Sequence, residues 1–392
     1  MKYFYQKLTN VSSESANLID LKNLIRNNNE LDIEIRDAFP LESYGSLTDE
    51  IKVKGSKELL DIFKEVDNEK MDLVESLKDM TFNGFIEPNY NISLKFHTID
   101  NLEARGVYKF TTDFLNDVFS LEGFYGFSTK KQTIDILSTA LETLFERFPD
   151  LKRQYRFLRY NDEWVLRGVT SLAYKNYDNH LVLYLSLLAL HNYSKITGNI
   201  FTVATDGSLS DSDISIFFEE EIPFHIEGVG DVYFRVFVSN GEIRQKRFTF
   251  EVSYRIDDGT SSLAAMPELE DPLIKVTHSL KVDSVKNKLD NIFDLDHHKQ
   301  NMLKYITELK NIKKLSPDAI HYLFNKISRS QLKFTEDTKR KAKMLRENDS
   351  IVNNTLTLIE FLNRVNEITS DINEKVHLQR IYDDVIRKIT QV

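Results

Sequence analysis

The stretch KRQYRFLRY at 152–160 interleaves Lys152, Arg153, Arg156 and Arg159 with Tyr155, Phe157 and Tyr160. Cations neutralise phosphates and aromatic rings stack on unpaired bases, so this mixture could hold single-stranded nucleic acid. GFYGFSTKK at 123–131 repeats it with Phe124, Tyr125, Phe127, Lys130 and Lys131. The same alternation also fits a hairpin whose aromatics face inward and whose charges are solvated. The densest cluster is Lys339, Arg340, Lys341, Lys343 and Arg346. On one and a half turns of helix it could lie along a phosphate backbone. It could equally pair with an acidic surface of this chain or of a second copy.

Other chemistry is poorly served. FDLDHH places Asp294, Asp296, His297 and His298 together, but adjacent helical side chains diverge and few could meet on one ion. Asp206, Asp211 and Asp213 in TDGSLSDSD lack the spacing and distal Glu of a calcium loop. Glu219, Glu220 and Glu221 could form an acidic catalytic cluster or a solvated strand end. The chain has no phosphate-loop, dinucleotide, nucleophile-elbow or H-E-x-x-H signature. Gly228-Val229-Gly230 is too short to cradle a phosphate. The absence of cysteine excludes disulfides, thiol nucleophiles and thiolate metal sites. We therefore expect no catalytic residues, no metal and no cofactor, and a metal-dependent nuclease fits least well.

Charge is unevenly spread. Residues 304–346 hold twelve Lys/Arg against Glu308, Asp318, Glu336 and Asp337, a net +8 in a chain of −10, so the remainder carries −18. Such asymmetry points to an anionic partner or to self-association between unlike surfaces. The N-terminus lacks the apolar run of a signal peptide. The run Leu181–Leu190 is too short to cross a bilayer. No membrane partner and a cytoplasmic location in a host cell are the expectations.

These residues need elements to hold them. The stretch 164–193 contains the one tryptophan, Trp164, and the longest apolar run. It reads as a strand, a polar turn capped by Asp178, and a buried helix. Tyr155–Tyr160 and Glu163–Val169 around Asn161-Asp162 read as a hairpin. Arg247–Ile256 alternates, with Phe248, Phe250, Val252, Tyr254 and Ile256 on one face and polar residues on the other. Ile134, Leu137, Leu141, Leu144 and Phe148 predict a helix ended by Pro149. Leu31, Ile33 and Ile35 predict a strand; Met71, Val74, Leu77 and Met80 predict a helix; Gly123–Phe127 reads as a loop. Pro267 and Pro272 mark a hinge in 263–275. Beyond about Ser284 only helical signals remain, and Ser316-Pro317 opens one helix. The expected fold is α+β, a largely antiparallel sheet with packed helices followed by an all-helical C-terminal domain. The expected divisions are a helix-rich segment 1–80, a core domain 81–280 and a basic helical domain 281–392.

RGVTSLAYKNYDN at 167–179 resembles the R-x-x-x-S-x-x-Y-x-x-x-D-N pattern of a phage- and plasmid-borne family of unknown function. VFVSNGEIRQKRFTFEVSYRI at 236–256 is similar to that family's N-S-E-x-G strand region. The likeness covers about residues 80–285. It departs at Gly241, where the family has Ser, and lacks the family's early Trp-His-Gly-Leu-Gly element. It implies a mobile-element setting and an α+β core, and it supplies no catalytic residue. Together with the basic clusters, it leads us to expect a non-enzymatic nucleic-acid-binding accessory of replication, recombination or annealing. The alternative is a self-assembling phage structural protein, or an inhibitor of a host defence system, acting through protein contacts.

Overall fold

The computed structural model describes residues 3–9, 12–243, 246–268, 272–312, 316–330, 333–347 and 358–390. It is an α+β protein with two main cores. The larger core is the inner face of a ten-stranded sheet, covered by helices from the two ends and the middle of the chain. The smaller is built from residues 71–169. Two three-stranded antiparallel sheets there pack with the helices Phe110–Phe119, Glu122–Lys131 and Ile134–Arg147.

The helix Asn179–Thr197 runs through the larger core. Every residue from Asn179 to His191 is buried. A helix apolar on all sides is stable only when surrounded, and this one lies under the sheet and against the N-terminal helices. Gly198, at φ +81°, ends it in the left-handed conformation that glycine adopts without strain. Asp178 occupies the N-cap position as expected, yet its side chain makes no capping bond. Its carboxylate is engaged elsewhere, and a distant glutamate caps the helix instead.

The sheet is centred on Gly230–Gly241 and Phe248–Asp257, which pair antiparallel with Val236 opposite Val252 and Val238 opposite Phe250. Phe248, Phe250, Val252, Tyr254 and Ile256 are all fully buried, as the alternation requires. Among the described ladders only Val53–Lys54 with Phe201–Val203 is parallel. Gly230 turns the chain into the sheet at φ +124°, where a Cβ would lie 2.2 Å from the Asp257 carbonyl oxygen; no other residue fits. The hairpin Lys152–Tyr160/Glu163–Thr170 turns at Asn161 and Asp162, both at positive φ (47° and 62°), as a two-residue turn matched to strand twist demands.

Three local expectations fail. Residues 30–38 form the helix Glu30–Ala38, because Asn29 caps it by accepting from the Leu31 amide and Leu31 and Ile35 share its buried side. Residues 70–86 form the strands Lys70–Ser76 and Met80–Ile86, with Met71 and Leu73 turned to the small core and Val74 exposed. The segment around Gly123 and Gly126 is the helix Glu122–Lys131, held by packing against its neighbours.

From Val282 onward every described element is helical. Ser316 caps Pro317–Arg329 by accepting from the Ala319 amide. The buried side chains do not part at the expected boundary near 270–285. Leu8, Leu185, Phe250, Leu323 and Tyr382 belong to one apolar cluster, so the N-terminal, central and C-terminal segments share a core. Part of the expected hinge, residues 269–271, lies outside the described residues, as do Lys313 and Lys314. Among the described residues no helix is long and apolar enough to cross a membrane.

Candidate nucleic-acid interface

The strand Lys152–Tyr160 is not a stacking platform. Tyr155 and Phe157 are fully buried, with ring centroids 5.3 and 5.0 Å from Phe96, and Phe157 meets Trp164 edge-on. Trp164 itself is half-buried at the rim of the small core. The ladder shifts register between Arg156 and Phe157, so Arg156, Phe157 and Leu158 are buried in succession. The inward packing weighed as the alternative is what forms, and the base-stacking assignment of Tyr155 and Phe157 is corrected: a base could reach them only by opening the core. Arg156 is likewise removed from any surface. Arg153 donates to the Asp117 carbonyl at 3.0 Å, and Arg159 lies over the Trp164 ring at 5.4 Å. Lys152 remains exposed. In the neighbouring helix Tyr125 donates to the carbonyls of Asn89 and Tyr90, while Lys130 and Lys131 are exposed at its end.

Arg156 instead belongs to a buried ionic hub. Its guanidinium donates to Asp72 (2.9 and 3.2 Å), to Asp178 (2.7 and 2.8 Å) and to the Glu242 carbonyl (2.6 Å). Glu242 is the centre. Its carboxylate accepts from Arg167, from Lys70 at 2.9 Å and from the backbone amide of Asn179 at 2.9 Å. That last bond supplies the helix cap that Asp178 does not. Lys70 also reaches Asp67 at 2.6 Å, and Arg26 meets the same carboxylate. Asn240 donates to the Asn179 side chain and to the Tyr177 carbonyl, closing the sheet against the helix start. Burial alone would push the Glu242 carboxyl up. Lys70, Arg167 and Arg156 outweigh it and hold the group well below the usual carboxylate range. Burial disfavours charge on Lys70 in the same way, and Asp67 and Glu242 overcome it. The hub ties strands of the small lobe to the large sheet and the central helix.

Sequence reasoning did not assign this hub, although Arg167, Asp178 and Asn179 lie in the stretch 167–179 and Asn240 and Glu242 in the stretch 236–256.

The remaining acidic candidates are each engaged. Glu219 pairs with Arg255, Glu220 with Lys299 and Glu221 with Lys54. Asp206 meets Arg235, Asp211 is buried and accepts from the Tyr108 hydroxyl at 2.6 Å, and Asp213 takes a bond from Ser210. In FDLDHH, Asp296 accepts from Tyr193 and Lys299, while His297 turns to Asn301. Among the described residues no three His, Asp or Glu converge as metal ligands.

The second basic cluster is on the surface. Thr335 caps the helix Glu336–Arg346, and Thr338 and Ala342 seat it in the core, with the Thr338 hydroxyl donating to Glu374 at 2.7 Å. The opposite side is open: the side chains of Arg340, Lys341 and Lys343 are 72 %, 50 % and 74 % exposed. Lys339 is mostly covered and pairs with Glu336, and Arg346 is exposed beside His321. Asp337 serves both Arg340 and Lys341, and Glu347 lies 4.0 Å from Lys343. Lys339, Arg340, Lys343 and Arg346 line an open groove of about 680 Å³ against Pro317–Arg329.

Compared with protein-family models, curated proteins and solved structures, the chain finds no match in any of the three.

Proposed function

We propose that this chain is a non-enzymatic accessory of a phage or other mobile element that binds the sugar–phosphate backbone of nucleic acid. The observation that carries the reading is the exposed face of Glu336–Arg346, where Arg340, Lys341, Lys343 and Arg346 project into solvent. The ion partners of Arg340, Lys341 and Lys343 are exposed carboxylates, Asp337 on the same helix and Glu347 just past its end. Such pairs are worth about 0–1 kcal/mol each, so phosphates can displace them at little cost. Binding by this face is electrostatic and independent of sequence. With Tyr155 and Phe157 inside the core it carries no base stacking from that strand, and duplex and single strand should bind through the same contacts.

Anisotropy titrations with labelled duplex and single-stranded oligonucleotides across a salt series test this. Replacing Lys339, Arg340, Lys341 and Lys343 together by Gln should weaken binding to every sequence. The salt slope should flatten by roughly 0.7–0.9 per lost phosphate contact. No binding at low salt, or an unchanged slope in the variant, overturns the reading.

A second reading, self-association, is favoured by one feature. Ile222 is 79 % exposed and Phe224 52 % exposed beside Phe224–Ile226, a short strand that pairs only with Gly230–Gly241 among the described residues. Apolar side chains beside an open strand edge suit contact with a second copy. A particle mass above the monomer that falls on Ile222→Lys supports it.

A further inference from the structure

The outer face of the large sheet carries a second cationic feature, assembled from residues far apart in the sequence. Lys246 and Arg247 precede the strand Phe248–Asp257, Lys275 lies on the neighbouring strand Ile274–Val276, Lys333 precedes the basic helix and Arg380 projects from Ile372–Thr390. Together they line one open groove of about 720 Å³. Only Glu251 and Glu268 oppose them among the described lining residues, and Glu251 is engaged by Arg380 at 2.7 Å. Lys246 donates to the Ser215 hydroxyl at 3.0 Å. Arg247, Lys275 and Lys333 have no hydrogen-bond or ion-pair partner among the described residues. The groove floor adds hydroxyls: Ser239 and Thr249 face each other across the ladder, 3.0 Å apart. His377 also stands in the wall. Its imidazole is pushed down by burial and further by Lys333 and Arg380, against Glu268.

Three cations without a partner among the described residues, hydroxyl donors and an open groove suit a chain of phosphates. A lone phosphate would not need cations on four separate elements. Lys333 lies three residues before Glu336, where the basic helix starts, so this groove and the helix face are joined through one short segment.

We infer that the groove is a second backbone contact, so that a nucleic acid held on Glu336–Arg346 continues past Lys333 onto the outer face of the sheet. This rests on the function proposed above. It differs in one physical respect: Arg247, Lys275 and Lys333 have no ion-pair partner among the described residues to give up to a phosphate, so each of these three should contribute more than each helix residue.

Two variants of the full chain separate the claims: Arg247→Ser/Lys275→Ser/Lys333→Ser in the groove, and the four-residue helix variant. The groove variant should flatten the salt slope by roughly two, from three contacts at 0.7–0.9 each. It should weaken low-salt binding of a labelled oligonucleotide by about ten-fold or more. The charge-preserving variant Arg247→Lys/Lys275→Arg/Lys333→Arg should bind as the parent does. If the helix variant loses affinity while the groove variant keeps both affinity and slope, the inference falls and the helix reading stands. If only the groove variant loses affinity, the groove stands and the helix reading falls. Loss in the charge-preserving variant, or no binding by the parent chain at low salt, overturns the groove as an electrostatic contact.

Discussion

The hub around Glu242 and the helix Glu336–Arg346 are both crowded with ion pairs, and they differ in one variable, water. Arg156, Arg167 and Glu242 have no exposed side-chain surface, whereas the helix cations from Arg340 to Lys343 are half to three-quarters exposed. Removing one member of a buried pair leaves an uncompensated charge in a poor solvent and costs about 3–5 kcal/mol. Breaking an exposed pair costs about 0–1 kcal/mol. The first arrangement is committed to holding the small lobe, the sheet and the central helix together. The second pairs its charges only with carboxylates of its own helix and the residue after it, Glu336, Asp337 and Glu347, in contact with water. Counting Lys and Arg along the chain cannot tell the two apart; burial does.

The sharpest way to break this comparison is at its centre. Glu242→Gln keeps the shape and removes the charge that Lys70, Arg156 and Arg167 share, and it weakens the cap on Asn179. Stability by urea unfolding should fall by about 3–5 kcal/mol. A loss below about 1 kcal/mol would show that the three cations do not depend on Glu242.

The same substitution has a pH signature. The folded-state pKa of Glu242 is depressed, so its stabilisation is complete above the unfolded value, about 4.3. It is lost as pH falls through the lower, folded value. Asp67 and Asp72 shift in the same direction, where Lys70 and Arg156 outweigh their burial. Asp211 and Asp383 are raised by burial and act oppositely, binding protons more readily when folded. The stability difference between parent and Glu242→Gln should therefore be flat above about pH 5 and shrink below about pH 4. A difference that holds constant down to the acid transition would mean that Glu242 is not depressed.

Much of the fold was legible because it is local. The alternation from Phe248 to Ile256, the turn at Asn161-Asp162, the cap at Ser316 and the apolar run in Asn179–Thr197 each state their structure within a few residues. The failures occurred where two periods compete. Leu31, Ile33 and Ile35 alternate like a strand, but Leu31 and Ile35 are also four apart, and the Asn29 cap decided for helix. Two glycines in 122–131 argued for a loop, and packing overrode the propensity. The candidate surface was half legible. The cluster 339–346 was visible as a run, whereas the strand 152–160 gave the right charges and the wrong side of the surface. The hub and the outer groove were not visible as sites. The contact between Arg156 and Glu242 spans 86 residues, and no periodicity encodes such a meeting.

If the helix face is free as argued, its charges are nearly irrelevant to folding. The Lys339, Arg340, Lys341 and Lys343 to Gln variant should unfold within about 2 kcal/mol of the parent, from four exposed helix pairs at about 0.3–0.5 kcal/mol each, while its DNA affinity drops. A larger loss of stability would place these residues with Glu242 in holding the fold and would undercut the proposed function.

The smallest expected effect sharpens the comparison furthest, because it falls on the strand that holds both kinds of residue. Tyr155 precedes Arg156 and is fully buried, and its hydroxyl has no hydrogen-bond partner among the described residues. A buried hydroxyl without a partner carries a desolvation cost of about 1–3 kcal/mol, so deleting it leaves nothing newly unpaired. Tyr155→Phe also keeps the ring that packs on Phe96 and Phe114. Stability should stay level or rise by up to about 1 kcal/mol. Affinity for single strands relative to duplexes should not change, since stacking on an exposed ring would be worth about 1–3 kcal/mol per base and none is available here. Tyr155→Leu removes the ring and serves as the contrast: it should destabilise the small lobe while leaving the ratio of single-strand to duplex affinity untouched. A selective loss of single-strand binding in Tyr155→Leu, with stability unchanged, would return this strand to the surface and restore the stacking role that its burial removes.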